Sequence, residues 1–127
     1  MRIAIPVFGD QVATVFDFAQ RLNVYDVDGM RVMGKVEVDM ADALVPVRAF
    51  RLKDLGVDLL ICGAISTDLA AMVVHSGVEV IPFARGMADE VLRAFLVGGL
   101  TDTRFAMPGC RAGQRWQRQR RRMRGKW

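Results

Sequence analysis

The dipeptide Asp28-Gly29 lies between two runs rich in β-formers, Leu22 to Val27 and Met30 to Val38. Asp and Gly both accept positive φ, so the pair predicts a β-hairpin at this point. In the second arm Met30, Val32, Val36 and Val38 alternate with Arg31, Lys35, Glu37 and Asp39, which predicts one buried face and one wet face. After the hairpin the period changes. From about Leu44 to Leu55, Val47, Phe50 and Leu55, with Ala49 and Leu52, form a helical stripe, with Pro46 tolerated in the first turn and Gly56 closing it. Val57 to Cys62 is a short buried strand. Ser66 reads as a helix N-cap, Leu69, Met72 and Val73 as that helix's inner stripe, and Gly77 as its stop. Val78 to Pro82 is another strand. Asp89 and Glu90 open a third helix with Val91, Leu92, Phe95 and Leu96 inward, ended by Gly98-Gly99.

Before the hairpin stands Ile3-Ala4-Ile5-Pro6-Val7-Phe8, apolar on both faces, as in a strand covered on two sides. Pro6 argues against a central position and is tolerated near the strand's exit. The order β, β-hairpin, then α-β-α-β-α predicts an α/β fold with a mixed five-stranded sheet, order 3-2-1-4-5, and flanking helices. The middle strand of the early meander is expected to be antiparallel.

Length and charge narrow the function classes. The chain has 127 residues, enough for one domain with a real core. No apolar run approaches the roughly 20 residues of a membrane span, and the N-terminus has no signal-like stretch, so a cytoplasmic location is expected. Residues 1–103 carry 9 Lys/Arg against 14 Asp/Glu, net −5, whereas residues 104–127 carry 9 Lys/Arg and no acid. The chain thus divides into a mildly acidic domain, 1–103, and a basic tail, 104–127, expected to be disordered. Arg115, Arg118, Arg120, Arg121, Arg122, Arg124 and Lys126, interleaved with Trp116 and Trp127, would suit single-stranded nucleic acid or an acidic protein. An RNase H-type nuclease is disfavoured. It needs clustered carboxylates at the sheet centre, and the first strand carries none; Asp10 comes only after it.

A sheet of this order has a switch point between strands one and four, where a ligand crevice is expected outside the carboxyl ends of the strands. The loops that meet there are Phe8-Gly9-Asp10 onward, Cys62-Gly63-Ala64-Ile65-Ser66 and, adjacent, Phe83 to Met87 with Arg85. The second loop enters a helix N-terminus, which favours an anion. Gly63 would permit close backbone approach, so Gly63→Val is expected to harm binding more than folding. Cys62 and Cys110 form no CxxC pair and are expected to be thiols. Cys62, ending a buried strand, reads either as a small buried cysteine or as a thiolate at the crevice mouth; it and Cys110, beside Arg111 on a Pro-Gly segment, are the candidate soft-metal ligands. Cys110 could swing on Met107-Pro108-Gly109 toward Cys62. His75, near the end of the second helix, reads as a helix-end residue.

Several segments, in their order, carry a resemblance. Met1-Arg2-Ile3-Ala4-Ile5-Pro6-Val7, Phe16-Asp17-Phe18-Ala19, the run from Val57 to Ser66, Gly77 to Pro82, and Phe105-Ala106-Met107-Pro108-Gly109-Cys110 followed by arginines resemble the dinitrogenase iron–molybdenum cofactor biosynthesis family. The resemblance is to its NifX-like, NifB C-terminal-like and orange-protein types, and covers roughly residues 1–110. It implies an RNase H-like fold and a non-enzymatic protein of nitrogen-fixation cofactor biosynthesis. Such a protein would bind or carry an iron–molybdenum or iron–sulfur cluster, or a molybdenum–copper sulfide cluster held largely without covalent protein ligands. Cofactor-assembly proteins would be its partners. Gly9, Gly63, Ala64, Ile65, Ser66 and Arg85 of the loops at the switch point, with Phe16 of the first loop, form the expected cofactor-binding set. The chain departs from the family pattern at Val15-Phe16-Asp17, where many relatives have His-Phe-Gly, so no His ligand stands at position 15.

Overall fold

The computed structural model describes residues 1–41 and 44–98. Its strands are β1 (Arg2–Phe8), β2 (Gln11–Val12), β3 (Arg21–Asp28), β4 (Arg31–Asp39), β5 (Leu59–Ile61) and β6 (Glu79–Ile81). Its helices are α1 (Val45–Asp54), α2 (Thr67–His75) and α3 (Ala88–Leu96), with a 3-10 turn at Phe16–Phe18. The mixed sheet runs β4-β3-β1-β5-β6, with β2 hung on β1. The five-strand reading 3-2-1-4-5 is therefore replaced by a six-stranded sheet, because Gln11-Val12 forms a strand too short to show any period. β3 is antiparallel to both β1 and β4, and β5 is parallel to β1 and β6.

β1 is the axis of the fold. Its alternate residues enter two different cores, which is why its sequence is apolar without alternation. Ile3, Ile5 and Val7 join Tyr25, Leu59, Ile61, Ile81, Val91 and Leu92 under α3. Ala4 lies on the opposite face with Leu22, Val24, Leu60 and Val80, under Leu52 of α1 and Leu69 and Val73 of α2. Three layers result, with α1 and α2 on one face and α3 on the other. Pro6 fits in this central strand for a local reason. Its carbonyl accepts from Ala13 N at 2.9 Å, so its nitrogen faces the β2 side and the ladder to β3 needs nothing from it. On that side the parallel pairing with β5 has ended at Ala4, and the antiparallel pairing with β2 begins at Val7.

The helix ends follow local chemistry. Pro46 occupies the first turn of α1. The Ser66 hydroxyl accepts from Leu69 N at 3.2 Å and caps α2. Gly77, at φ 94°, takes the left-handed turn after α2 that a side chain would resist. The hairpin turn lies one residue later than the Asp-Gly reading: Asp28 pairs with Arg31, so Gly29 and Met30 are the central residues. Positive φ at Gly29 alone is the pattern of a type II′ turn.

The expected buried face of β4 is not present. The strand is exposed along nearly its whole length, with only Val38 partly covered. A register shift opposite Asp26 and Val27 passes over Met33. Beyond it Val32 pairs with Val27, which faces α3, whereas Val36 pairs with Val24, which faces α1 and α2. One apolar alternation in sequence thus becomes two faces in space.

Candidate functional site at the carboxyl end of the sheet

The loops that follow β1, β5 and β6 meet as expected, but the space between β1 and β5 is filled by the chain's own backbone. After the Gly9-Asp10 turn, residues 11–16 run back into the switch point. Val12 N donates to Gly86 O at 2.9 Å, Ala88 N to Asp10 O at 2.8 Å, Ala64 N to Thr14 O at 2.7 Å and Phe16 N to Ala64 O at 2.9 Å. Phe83 N donates to Gly63 O and Ala84 N to Cys62 O, both at 2.9 Å. The three loops are thereby tied into one surface with a closed floor.

Gly63 is part of that floor. A Cβ placed on it would lie 2.5 Å from both the Ala13 and Thr14 carbonyl oxygens. The glycine is needed for backbone to approach backbone, which argues against the expectation that Gly63→Val harms binding more than folding. Ala64 likewise spends both its N–H and its carbonyl on this floor. Cys62 is fully buried among the side chains under α1 and α2. Burial, with a smaller contribution from Asp17, pushes its thiol well above the usual range. Of the two readings of Cys62, the structure supports the small buried cysteine and not the thiolate at a crevice mouth. Phe16, expected in the binding set, is also fully buried. A 3-10 turn offers two aromatic side chains at Phe16 and Phe18, and it is Phe16 that turns inward.

What reaches solvent is different from the expected set in part. Gly9 is exposed at its turn with φ 62°, Ser66 and Arg85 are exposed, and Ile65 is half-buried. Phe8 is 85% exposed and Phe18 80%, large values for phenylalanines in a folded domain. Met87 is exposed as well, and Phe83 is half-buried with φ 65°, a conformation a bulky side chain rarely adopts. Residue type alone did not mark Phe8 or Phe18; Phe8 continues an apolar strand and Phe18 sits two residues from a core aromatic.

The N-terminus of α2 opens on this surface. Its first N–H, at Ser66, is already taken by the Asp17 carboxylate at 2.9 Å, while Thr67 and Asp68 are exposed. Asp17 was invisible as a site residue because its partner is 49 positions away. The turn that presents Asp17 is pinned from below by Arg48, only 3% exposed, whose guanidinium donates to Ala19 O at 2.6 Å and Phe16 O at 3.2 Å. Burial lowers the Arg48 pKa, and the nearby Asp17 carboxylate opposes that shift. The surface therefore combines exposed aromatic rings, a helix N-terminus and one intramolecular carboxylate.

Among the described residues no three His, Cys, Asp or Glu side chains are grouped to hold a metal ion. His75 is exposed in the last turn of α2, as a helix-end residue. No helix among them is long and apolar enough to cross a membrane. Cys110, the basic tail and its Trp and Arg residues lie outside the described residues.

Comparison with known proteins agrees with this architecture. The crystal structure of PH0822 superposes with a TM-score of 0.74 at 23% identity, covering 77% of this chain and 90% of that one. The apo form of the orange protein from Desulfovibrio gigas gives 0.65 at 21% identity, covering 77% and 88%. The NMR structure of a NifB candidate from Thermotoga, of the DUF35 family, gives 0.61 at 30% identity, covering 77% and 89%. No curated protein sequence matches. The family model for the dinitrogenase iron-molybdenum cofactor matches residues 1–98, the whole of the three-layer domain, and the chain belongs to that family.

Proposed function

We propose that the chain binds and carries an anionic metal–sulfur cluster during metallocofactor assembly, and that it does so as a carrier rather than an enzyme. The observation that carries the reading is the surface at the carboxyl end of the sheet, where Phe18 stands exposed next to Asp17, whose carboxylate holds Ser66 N at the N-terminus of α2, and Phe8 stands exposed at the end of β1, in a domain of this family. Sulfide-rich anions are large, soft and weakly hydrated. They suit apolar ring faces and backbone N–H groups better than they suit a ring of hard carboxylates. With no grouped metal-ligating side chains among the described residues, the cargo is held by hydrogen bonds and apolar contact. The family suggests iron–molybdenum and iron–sulfur precursors as the cargo, and a molybdenum–copper sulfide cluster is the third candidate. The mixed sheet with helices on both faces supports the RNase H-like grouping as part of this reading.

Asp17 sets the affinity. Its carboxylate occupies the Ser66 N–H that an anion would otherwise use, so the bare protein is self-capped and the cargo must bind beside or displace a like charge. Weak, reversible holding suits a carrier that hands its cargo on.

The test is anaerobic reconstitution of the full chain in separate arms, with iron, sulfide and molybdate, with iron and sulfide alone, and with tetrathiomolybdate and copper. Absorbance and metal analysis after gel filtration should show retained cluster in at least one arm. Colourless, metal-free protein in every arm would overturn the reading.

A further inference from the structure

The sheet has two edges, and they are unlike. β6 offers three residues, whereas β4 offers nine, exposed almost throughout. A long exposed edge strand presents unpaired N–H and carbonyl groups to any strand that can match it. The irregularity at Met33 confines the regular part of β4 to Gly34–Asp39, which pairs with Arg21–Asp26 in unbroken register. A bulge and a mid-strand lysine commonly guard such an edge. Here Lys35 is followed two residues later by Glu37, with Val36 between them 63% exposed. That spacing makes the edge complementary to itself.

We propose that β4 pairs antiparallel with β4 of a second copy of this chain, about a two-fold axis through Val36. The axis sets Lys35 opposite the partner's Glu37, Glu37 opposite the partner's Lys35, Val36 opposite the partner's Val36 and Gly34 opposite the partner's Val38. Neighbouring axes fail. Centring on Lys35 places lysine against lysine, centring on Glu37 places glutamate against glutamate, and centring on Val38 places Glu37 against aspartate. Any strand of mixed sequence could use the backbone groups, but only a second copy is guaranteed this charge match, and a self-complementary patch is what two-fold dimers require.

The faces are consistent with this pairing. Lys35 pairs with Tyr25 and lies on the α3 face, so both ion pairs form there. Val36 pairs with Val24 and lies on the α1–α2 face, so its exposed side chain is covered by its symmetry mate. The contacts already present do not compete. Arg21 holds Glu37 at 3.2 Å through one carboxylate oxygen, leaving the other free for the partner, and Lys35 lies 3.8 Å from Asp89 with ammonium donors to spare. Pairing joins the two sheets into one and leaves the carboxyl-end surface of each copy open.

Sedimentation equilibrium of the full chain, without any cluster, tests the proposal. A concentration-dependent monomer–dimer equilibrium is expected. Lys35→Glu converts both cross-strand ion pairs to repulsions and should weaken the dimer about tenfold or more. The double variant Lys35→Glu/Glu37→Lys restores both pairs with reversed polarity and should restore the wild-type dimer. Val36→Asp should leave monomer with an unchanged melting temperature, since Val36 is exposed in the monomer. A chain that stays monomeric up to roughly millimolar concentration, the range of weak association, would overturn the proposal. So would a dimer that ignores Lys35→Glu, or one the charge swap fails to restore.

Discussion

The carboxyl end of the sheet and its β4 edge are held in opposite ways. At the carboxyl end, backbone bonds join segments far apart in sequence, such as Ala64 N to Thr14 O and Ala88 N to Asp10 O. At the β4 edge, all pairing is with the adjacent strand of one hairpin, and no other strand among the described residues pairs with the outer side. The backbone floor of the first region is over-determined, so a change in that floor breaks the fold before it reports on binding. The second is nearly free of tertiary constraint, so a change there reports on what the surface meets. Substitutions in the two regions should therefore differ in kind as well as in size.

The largest expected effect is at Gly63. Gly63→Val drives a side chain into two backbone carbonyls that are themselves anchored, and should destabilise the domain by at least about 3 kcal/mol. Urea unfolding measures it; a loss below about 1 kcal/mol would show that residues 13–14 yield easily. Next is Arg48→Met, which keeps the aliphatic stem but removes the donors to Ala19 O and Phe16 O. It should cost about 2 kcal/mol, the usual scale for leaving a buried carbonyl unpaired. Loss of the Phe18 and Asp17 amide signals from their native positions, with the rest of the spectrum retained, would locate the damage in the turn.

Cys62 supplies a pH test of the same region. Burial raises its thiol in the folded state, so the unfolded chain loses its proton first as pH rises. Stability is then unaffected below the unfolded thiol value of about 8.5 and falls above it, by about 1.4 kcal/mol per pH unit for one proton. Tyr25 is raised in the same direction, by burial first, and adds to the slope only above about pH 10. Cys62→Ala should be less stable than wild type at neutral pH, yet lack the alkaline slope between those two values. A slope that persists in the variant would assign the titration elsewhere.

A smaller effect is expected at Asp17, on the surface that this end presents. Asp17→Asn weakens the capping of Ser66 N by about 1 kcal/mol or less and removes a negative charge beside the α2 terminus. Stability should fall slightly while affinity for tetrathiomolybdate rises severalfold. Affinity that falls with stability would mean the carboxylate helps to build the site. The smallest effect belongs to the other region: Val36→Thr should leave monomer stability within about 0.5 kcal/mol, as for surface substitutions generally.

The same contrast explains what could be read in the sequence. Helix limits were legible because their signals are local: Pro46 in a first turn, Ser66 as a cap, Gly77 as a stop. The meeting of the three loops followed from strand order. What occupies the meeting point did not, because β2 is two residues long and the bonds that fix it across the switch point are distant in sequence, as in Val12 N to Gly86 O, with Ala88 N to Asp10 O beside it. The inward turn of Phe16 and the outward turn of Phe18 were undecided by pattern, since both are phenylalanines in one irregular loop. In β4 the alternation was real, but the shift at Met33 reversed the faces midway, and no helix among the described residues buries either.

An amide-resolved NMR titration with tetrathiomolybdate decides whether cargo binds at the carboxyl end of the sheet. Progressive shifts are expected at Phe8, Phe18, Ser66, Thr67 and Asp68, abolished in Phe8→Ser/Phe18→Ser at unchanged melting temperature. Shifts confined to other surfaces, or none at saturating anion, would contradict it.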